Sequence, residues 1–474
     1  VRQASTLVNN QYNKMLQPEV DELSLPRGEI ISADGVVLAR SQPTNDGYGQ
    51  LRVYPDGLLF AGITGYLDPT AVSVADGLEE QYNSDLEQHT TAATTIRQIL
   101  DEQSGTDSIT LTVSAKLQAQ ARAALGGRLG AVVAIEPTTG AIEAMYANPT
   151  YNPNLLATHD ARAANKYYES LDPSSPTSAL VNGATALRYP PGSTFKVITT
   201  SAIFDHDPKL VKQTFPVESE MALPDSPLSL HNYDYEVCGG KLPTILAVSC
   251  DTAYGEAGIE LGASSLAAEA RSFGIGQAPP IDLPASEVAP SSFATSSQLT
   301  SGAYRAYSAI GQFDVAESAL ENALVASAMA DGGTIMTPHL LNKVIGPQGQ
   351  VVETYQPHPW RQATSKTTAS EVRNLMLGVT ADSNGTAYGV FPTGLAVAAK
   401  TGTAETVLNS GQVDDCSDDW LIATAPAASG QVPKIAVAVV VLGNQPGEIC
   451  DGTGATVAGP VISEVLSDAL ADGL

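Results

Sequence analysis

The spacing of apolar and polar positions divides the chain into two unequal parts. The first part, about 110 residues, is polar and turn-rich, with only short apolar runs. Within it, Ile30-Ile31 and Val36-Val37-Leu38 flank Asp34-Gly35. Asp-Gly between two β-prone runs predicts a hairpin. Residues 70–105 place Leu78, Leu86, Ile96 and Leu100 among polar neighbours, which predicts helix. The pattern changes near residue 109. Ile109 to Val113 alternates as a strand does, and Leu117 to Leu125 reads as a helix stopped by Gly126-Gly127. Gly130 to Ile135 is a fully apolar strand. Pro137-Thr138-Thr139-Gly140 turns the chain, and Ala141 to Tyr146 returns as its partner. Residues 147–192, rich in Asn, Pro and Ser, read as a loop. Downstream, Thr194–Phe204 and residues 320–330 read as buried helices, Leu395–Ala399 and Ile435–Leu442 as apolar strands, and Val461–Ala471 as a C-terminal helix. Two domains are expected: a small accessory domain over 1–108, and a large α+β domain over 109–474 whose strands form an antiparallel sheet.

Length and composition agree with a globular reading. The chain has 474 residues, 43% of them hydrophobic, enough for full-sized cores. Its net charge of −27 makes nucleic acid and anionic membrane surfaces poor partners. No run approaches the length of a membrane span, so an anchor, if the protein has one, lies upstream of Val1. Four cysteines occur, with no C-x-x-C pair and no metal-like histidine spacing, so neither a metal nor an organic cofactor is expected. The even count fits two disulfides, with the nearest-neighbour pairs Cys238–Cys250 and Cys416–Cys450 favoured among three pairings. Four buried thiols are the alternative.

The candidate chemistry lies in three separated segments. Pro190-Pro191-Gly192 ends any preceding helix and leaves Ser193 at a helix start, with Lys196 one turn later on the same face. A serine hydroxyl needs a base. A buried lysine with a lowered pKa supplies one, and the helix N-terminus offers free N–H groups to an oxyanion. Alone, S-x-x-K is weak and reads as well as a helix cap beside a solvated lysine. Ala399-Lys400-Thr401-Gly402-Thr403 adds a strand whose ammonium and hydroxyls can grip a carboxylate, with Gly402 admitting a peptide backbone. Val248-Ser249-Cys250-Asp251 lies between them, and Ser249 can relay a proton to a leaving amine.

The order S-x-x-K, S-x-N, K-T-G resembles the penicillin-binding proteins and serine β-lactamases. Leu187 to Ser193, Arg27-Gly28-Glu29-Ile30, Tyr151-Asn152-Pro153-Asn154, Ile310-Gly311-Gln312 and Asp418-Asp419-Trp420 resemble class B penicillin-binding proteins, in particular the short actinobacterial type. The resemblance implies a transpeptidase domain with a five-stranded antiparallel sheet flanked by helices, outside the cytoplasmic membrane. It implies catalysis by Ser193, Lys196, Ser249, Asp251 and Lys400, and oxyanion or substrate contacts from Ser193, Thr401, Gly402 and Thr403. Peptidoglycan stem peptides ending in D-Ala-D-Ala and β-lactams are the implied ligands. Glycan polymerases and division proteins of the membrane are the implied partners. One departure stands out: Asp251 occupies the position where the family usually has Asn. A carboxylate accepts from Lys196 but cannot donate, and it raises the lysine pKa. The motifs do not distinguish an amine acceptor from water, so D,D-carboxypeptidase and β-lactamase stay open, as does a β-lactam-binding sensor or scaffold.

Overall fold

The computed structural model describes residues 25–69, 73–74, 76–87, 105–224, 226–405, 416–443 and 452–473. The N-terminal hairpin forms at the predicted place. Strand β1 (Ile30–Ile31) pairs antiparallel with β2 (Val37–Pro43), with Ile30 opposite Ala39. Gly35 takes φ 82°, the left-handed turn conformation that glycine adopts without a steric cost. Strand β3 (Gln50–Val53) and helix α1 (Gly57–Thr64) follow. Over 70–105 helix appears where the stretch is described, and residues 88–104 lie outside the described residues. The described part holds the short helices α2 (Gly77–Gln81) and Asn83–Leu86, with a two-residue strand, Ser73–Val74, just before them. Leu78 and Leu86 are buried as apolar anchors, whereas Ile96 and Leu100 fall outside the described residues.

A buried ion cluster joins the apolar core in tying this part together. Glu79 on α2 is fully buried and takes Arg52 Nε at 2.5 Å and Arg27 Nη2 at 3.1 Å. Tyr54 donates to the same carboxylate at 3.2 Å. Burial alone pushes the Glu79 pKa up, but the two guanidinium groups outweigh it and hold the carboxyl below its ordinary value.

Strand β4 (Ser108–Leu111) is followed by α3 (Ala115–Leu125), capped by Ser114 and stopped at Gly126. Asp34 also accepts from the first-turn N–H groups of Ala115 and Lys116, so the accessory hairpin helps cap a helix of the larger part. The hairpin of β5 (Gly130–Ile135) and β6 (Ile142–Asn148) forms as predicted. The stretch 147–192 is not wholly loop. It contains α4 (Ala161–Ser170), capped by Asp160 and buried only at Ala164, a polar helix with too few apolar residues to announce it. Then come α5 (Lys196–His206), the long α6 (Asp251–Phe273), α7 (Gly302–Ala309) and α8 (Ala319–Ala330). Strands β7 (Leu341–Ile345) and β8 (Val351–Thr354), helix α9 (Lys366–Ala381), strands β9 (Ala398–Ala404), β10 (Asp418–Ala425) and β11 (Ile435–Val441), and helix α10 (Gly459–Ala471) complete the chain. Strand β9 begins three residues later than predicted, because Leu395 closes a turn onto Pro392.

Two sheets result. The central one has the order β9-β10-β11-β5-β6 and is antiparallel throughout. Every residue of β5, β10 and β11 is buried, so both faces are covered. Helix α8 packs on β5, β10 and β11, while α3 and α10 pack together against the sheet. The second sheet runs β8-β7-β4-β1-β2-β3 and joins the N-terminal part to residues 341–354 of the larger one. The expected boundary at 108/109 therefore falls inside a strand.

Removing Glu79 leaves the buried Arg52 guanidinium without a carboxylate partner and Arg27 with Glu87 alone. Glu79→Ala is expected to cost about 3–5 kcal/mol in denaturant unfolding. Because the folded-state pKa of Glu79 is depressed, its stabilisation is present at neutral pH and is lost as pH falls from the ordinary glutamate value through the folded one. The gap between wild type and variant should therefore narrow on acidification.

Candidate active site

The nucleophile segment is fixed by backbone contacts on three sides. Tyr189 exchanges hydrogen bonds with Glu317, the Trp420 indole donates to Pro190 O at 3.0 Å, and Gly192 N donates to Gly311 O at 3.1 Å. Gly311 sits at φ 76°, and a Cβ there would come 2.1 Å from Gly192 O, so only glycine permits this approach. Residues Gly192–Phe195 form a 3-10 turn that runs into α5. The predicted helix start at Ser193 is thus a tighter turn than an α-helix. Ser193 is half-buried and lines a cleft of about 540 Å³.

Lys196, one turn on, is fully buried beneath that cleft. Its ammonium donates to Ser249 O at 2.7 Å, Ser249 Oγ at 3.2 Å and Asp251 Oδ1 at 2.8 Å. The bonds run to Ser249 and Asp251 rather than to Ser193 Oγ. The Tyr254 ring lies 5.4 Å away.

Strand β9 supplies the second lysine. It is an edge strand, bonded only to β10, so its free side faces the nucleophile turn. Lys400, also fully buried, donates to Ser249 Oγ at 2.8 Å and Thr401 O at 2.9 Å. Thr401 and Thr403 line the cleft; Thr401 bonds Thr386 and Thr403 accepts from Gly454 N. Gly402 faces the turn: a Cβ there would lie 2.6 Å from Pro191 O.

Ser249 is where the three segments meet. It sits at φ 59°, a left-handed conformation that costs a serine roughly 1–2 kcal/mol. The neighbouring residues hold it there. Cys250 is bonded to Cys238, and Asp251 opens α6. The favoured pairing Cys238–Cys250 is therefore present. Cys416 is disulfide-bonded, and Cys450 lies outside the described residues.

Burial lowers the pKa of both lysines. For Lys196, Asp251 pulls the other way and does not win. For Lys400 the effect is larger, since burial is reinforced by the nearby Lys196 charge. Asp251 thus opposes the downward shift of Lys196 without abolishing it. Among the described residues no cluster of three metal-ligating side chains exists, and no helix is long and apolar enough to cross a membrane.

Sequence reasoning missed several contributors. Glu236, His231, Tyr233 and Tyr307 line the cleft from segments with no motif. Composition gives no sign of them; the disulfide, which draws residues 231–238 toward Ser249, was the available hint.

The described geometry can be set beside known proteins. Residues 130–467 match the penicillin binding protein transpeptidase domain, and residues 27–113 match the penicillin binding protein A dimerisation domain. The chain is 36% identical to the peptidoglycan D,D-transpeptidase PbpA of Mycolicibacterium smegmatis, over 96% of this chain and 91% of that one. It is 34% identical to PbpA of Mycobacterium tuberculosis, over 95% and 90%. The fold superposes on penicillin-binding protein A from M. tuberculosis in its ceftriaxone acyl-enzyme complex, with a TM-score of 0.83, 32% identity, and 95% and 100% of the two chains covered. The penicillin G acyl-enzyme gives 0.82 and 31%, over 94% and 99%. A motif order, a sheet and two family models that agree along nearly the whole chain lead to one assignment: this chain belongs to the penicillin-binding protein transpeptidases.

Proposed function

We propose that this chain is a serine D,D-transpeptidase that cross-links peptidoglycan stem peptides through an ester on Ser193 and is blocked when β-lactams acylate the same oxygen. The observation that carries this reading is the convergence of Lys196 and Lys400 on Ser249 Oγ beneath the cleft that Ser193 lines. The family and the acyl-enzyme structures of its relatives support it.

In the proposed reaction a stem peptide lies along the free edge of β9, with its terminal carboxylate held by Lys400, Thr401 and Thr403. Contrary to the expectation from its sequence context, Gly402 does not admit the peptide backbone; its Cβ position is taken by Pro191 O, so it lets β9 close on the Ser193 turn. Ser193 Oγ attacks the penultimate D-Ala carbonyl, and unprotonated Lys196 takes the hydroxyl proton. The N–H groups of Ser193 and Thr403 receive the oxyanion. Ser249, bonded to both lysines, delivers a proton to the departing D-alanine amine. An amine from a second stem peptide then attacks the ester, releasing Ser193 and forming the new amide. Asp251 orients Lys196. The same reading assigns residues 1–108 to an accessory domain and 109–474 to the transpeptidase. It places the protein outside the membrane on an upstream anchor, beside a glycan polymerase and division proteins that supply and organise strands.

A labelled penicillin is expected to attach covalently to the wild type and not to Ser193→Ala, with the adduct mapped to the peptide containing Ser193. Equal labelling of both proteins would overturn the assignment. Lys400→Ala is expected to slow acylation by about 10²–10⁴-fold, because Ser249, the proposed proton relay, loses the ammonium that holds its hydroxyl. Asp251→Asn removes the charge that opposes the downward shift of Lys196. The acid limb of the acylation pH profile should therefore move to lower pH, because the lysine keeps its unprotonated form further into acid. A limb that stays put or moves up would show that Lys196 is not the base.

A further inference from the structure

Backbone strain marks a second feature of the cleft. Among the described residues, five non-glycine positions have positive φ: Asp172, Asp234, Tyr235, Ser249 and Phe313. Four of them flank the cleft, since Tyr233, Glu236, Ser249 and Gln312 line it. Ser249 is explained by the proton relay. Phe313 is not. At φ 66° a bulky aromatic residue is a steric outlier, and nothing in the core rewards it, because its ring is 43% exposed. Instead the ring stacks on Tyr304, itself 41% exposed, with centroids 4.4 Å apart and planes 13° from parallel. Both residues of the stack remain partly open to solvent. Neither lines the cleft itself; Tyr304 is one turn from the lining residue Tyr307 on α7, and Phe313 directly follows the lining residue Gln312. The segment is firmly held, because Gln312 N bonds Tyr307 O at 3.0 Å and Gly311 O carries the nucleophile turn.

We infer that the Tyr304–Phe313 pair is a saccharide subsite, which docks a sugar ring of the glycan to which the donor stem peptide is attached. This rests on the transpeptidase reading above. A pyranose presents a flat face of C–H groups that matches the electron-rich face of an aromatic ring, while its hydroxyls stay in water at the rim. The strain holds the platform beside the cleft, so a sugar and its peptide can engage the platform and Ser193 together. A neutral sugar also meets no opposition from the acidic chain, whose net charge is −27.

The test compares a soluble disaccharide-peptide donor with the same peptide lacking sugars, using the full chain. The wild type is expected to favour the glycosylated donor in kcat/KM by about ten-fold, the size of one good aromatic stack. Phe313→Gly and Tyr304→Ala should erase that preference while leaving penicillin acylation of Ser193 unchanged. Unchanged penicillin acylation in both variants separates a binding role from a structural one. No preference in the wild type, or a preference that survives in Phe313→Gly, would overturn the subsite. Failure of the wild type to take penicillin on Ser193 would instead overturn the transpeptidase reading.

Discussion

The site depends on two ammonium groups buried together around one hydroxyl. Lys196 and Lys400 are both fully buried and both donate to Ser249 Oγ. Burial opposes the charged form of each, and each opposes the charge of the other. Asp251 supplies one compensating charge. The arrangement lowers its own cost when one amine gives up its proton, and the proposed reaction draws on such an unprotonated amine. The proposed chemistry is therefore a consequence of desolvation. It would vanish if the same lysines stood on an exposed helix face, where S-x-x-K would be a cap and a solvated charge.

Keeping two charges dry demands an accurate frame. The edge of the central sheet, the nucleophile turn and the start of α6 must meet within hydrogen-bond distances. Glycines at 311 and 402 permit the approach, since a side chain at either would collide with Gly192 O or Pro191 O. The Cys238–Cys250 bridge fixes the segment that holds Ser249 in its left-handed conformation.

Much of this was legible in the sequence, for identifiable reasons. The hairpin of β5 and β6 announces itself because an all-apolar run has one way to hide in water. Lys400 and Lys196 were found because their neighbours, Thr401-Gly402-Thr403 and Pro190 to Ser193, restrict the backbone strongly. Helix α6 was not found. It carries Gly255, Gly258 and Gly262, the last at φ 76°, and its small residues serve close packing rather than an apolar stripe. The Glu79 cluster was hidden for another reason. Its arginines lie 52 and 27 positions away, and local pattern carries no information about such pairings. The left-handed Ser249 and Phe313 were equally invisible, because neither residue type favours that conformation. What escapes the sequence is what tertiary context imposes against local preference.

Strand β4 has a mechanical meaning. It is bonded on one side in parallel to β1 and on the other antiparallel to β7. The boundary between the two parts of the chain is thus a shared plank, not a swivel. Load entering at the N-terminal lobe passes through the backbone ladder into β7 and the main body. A ladder pulled along its strands resists with all its rungs at once, whereas one peeled from its end yields a rung at a time. Tension applied along the strands would therefore reach the body of the molecule with little slack.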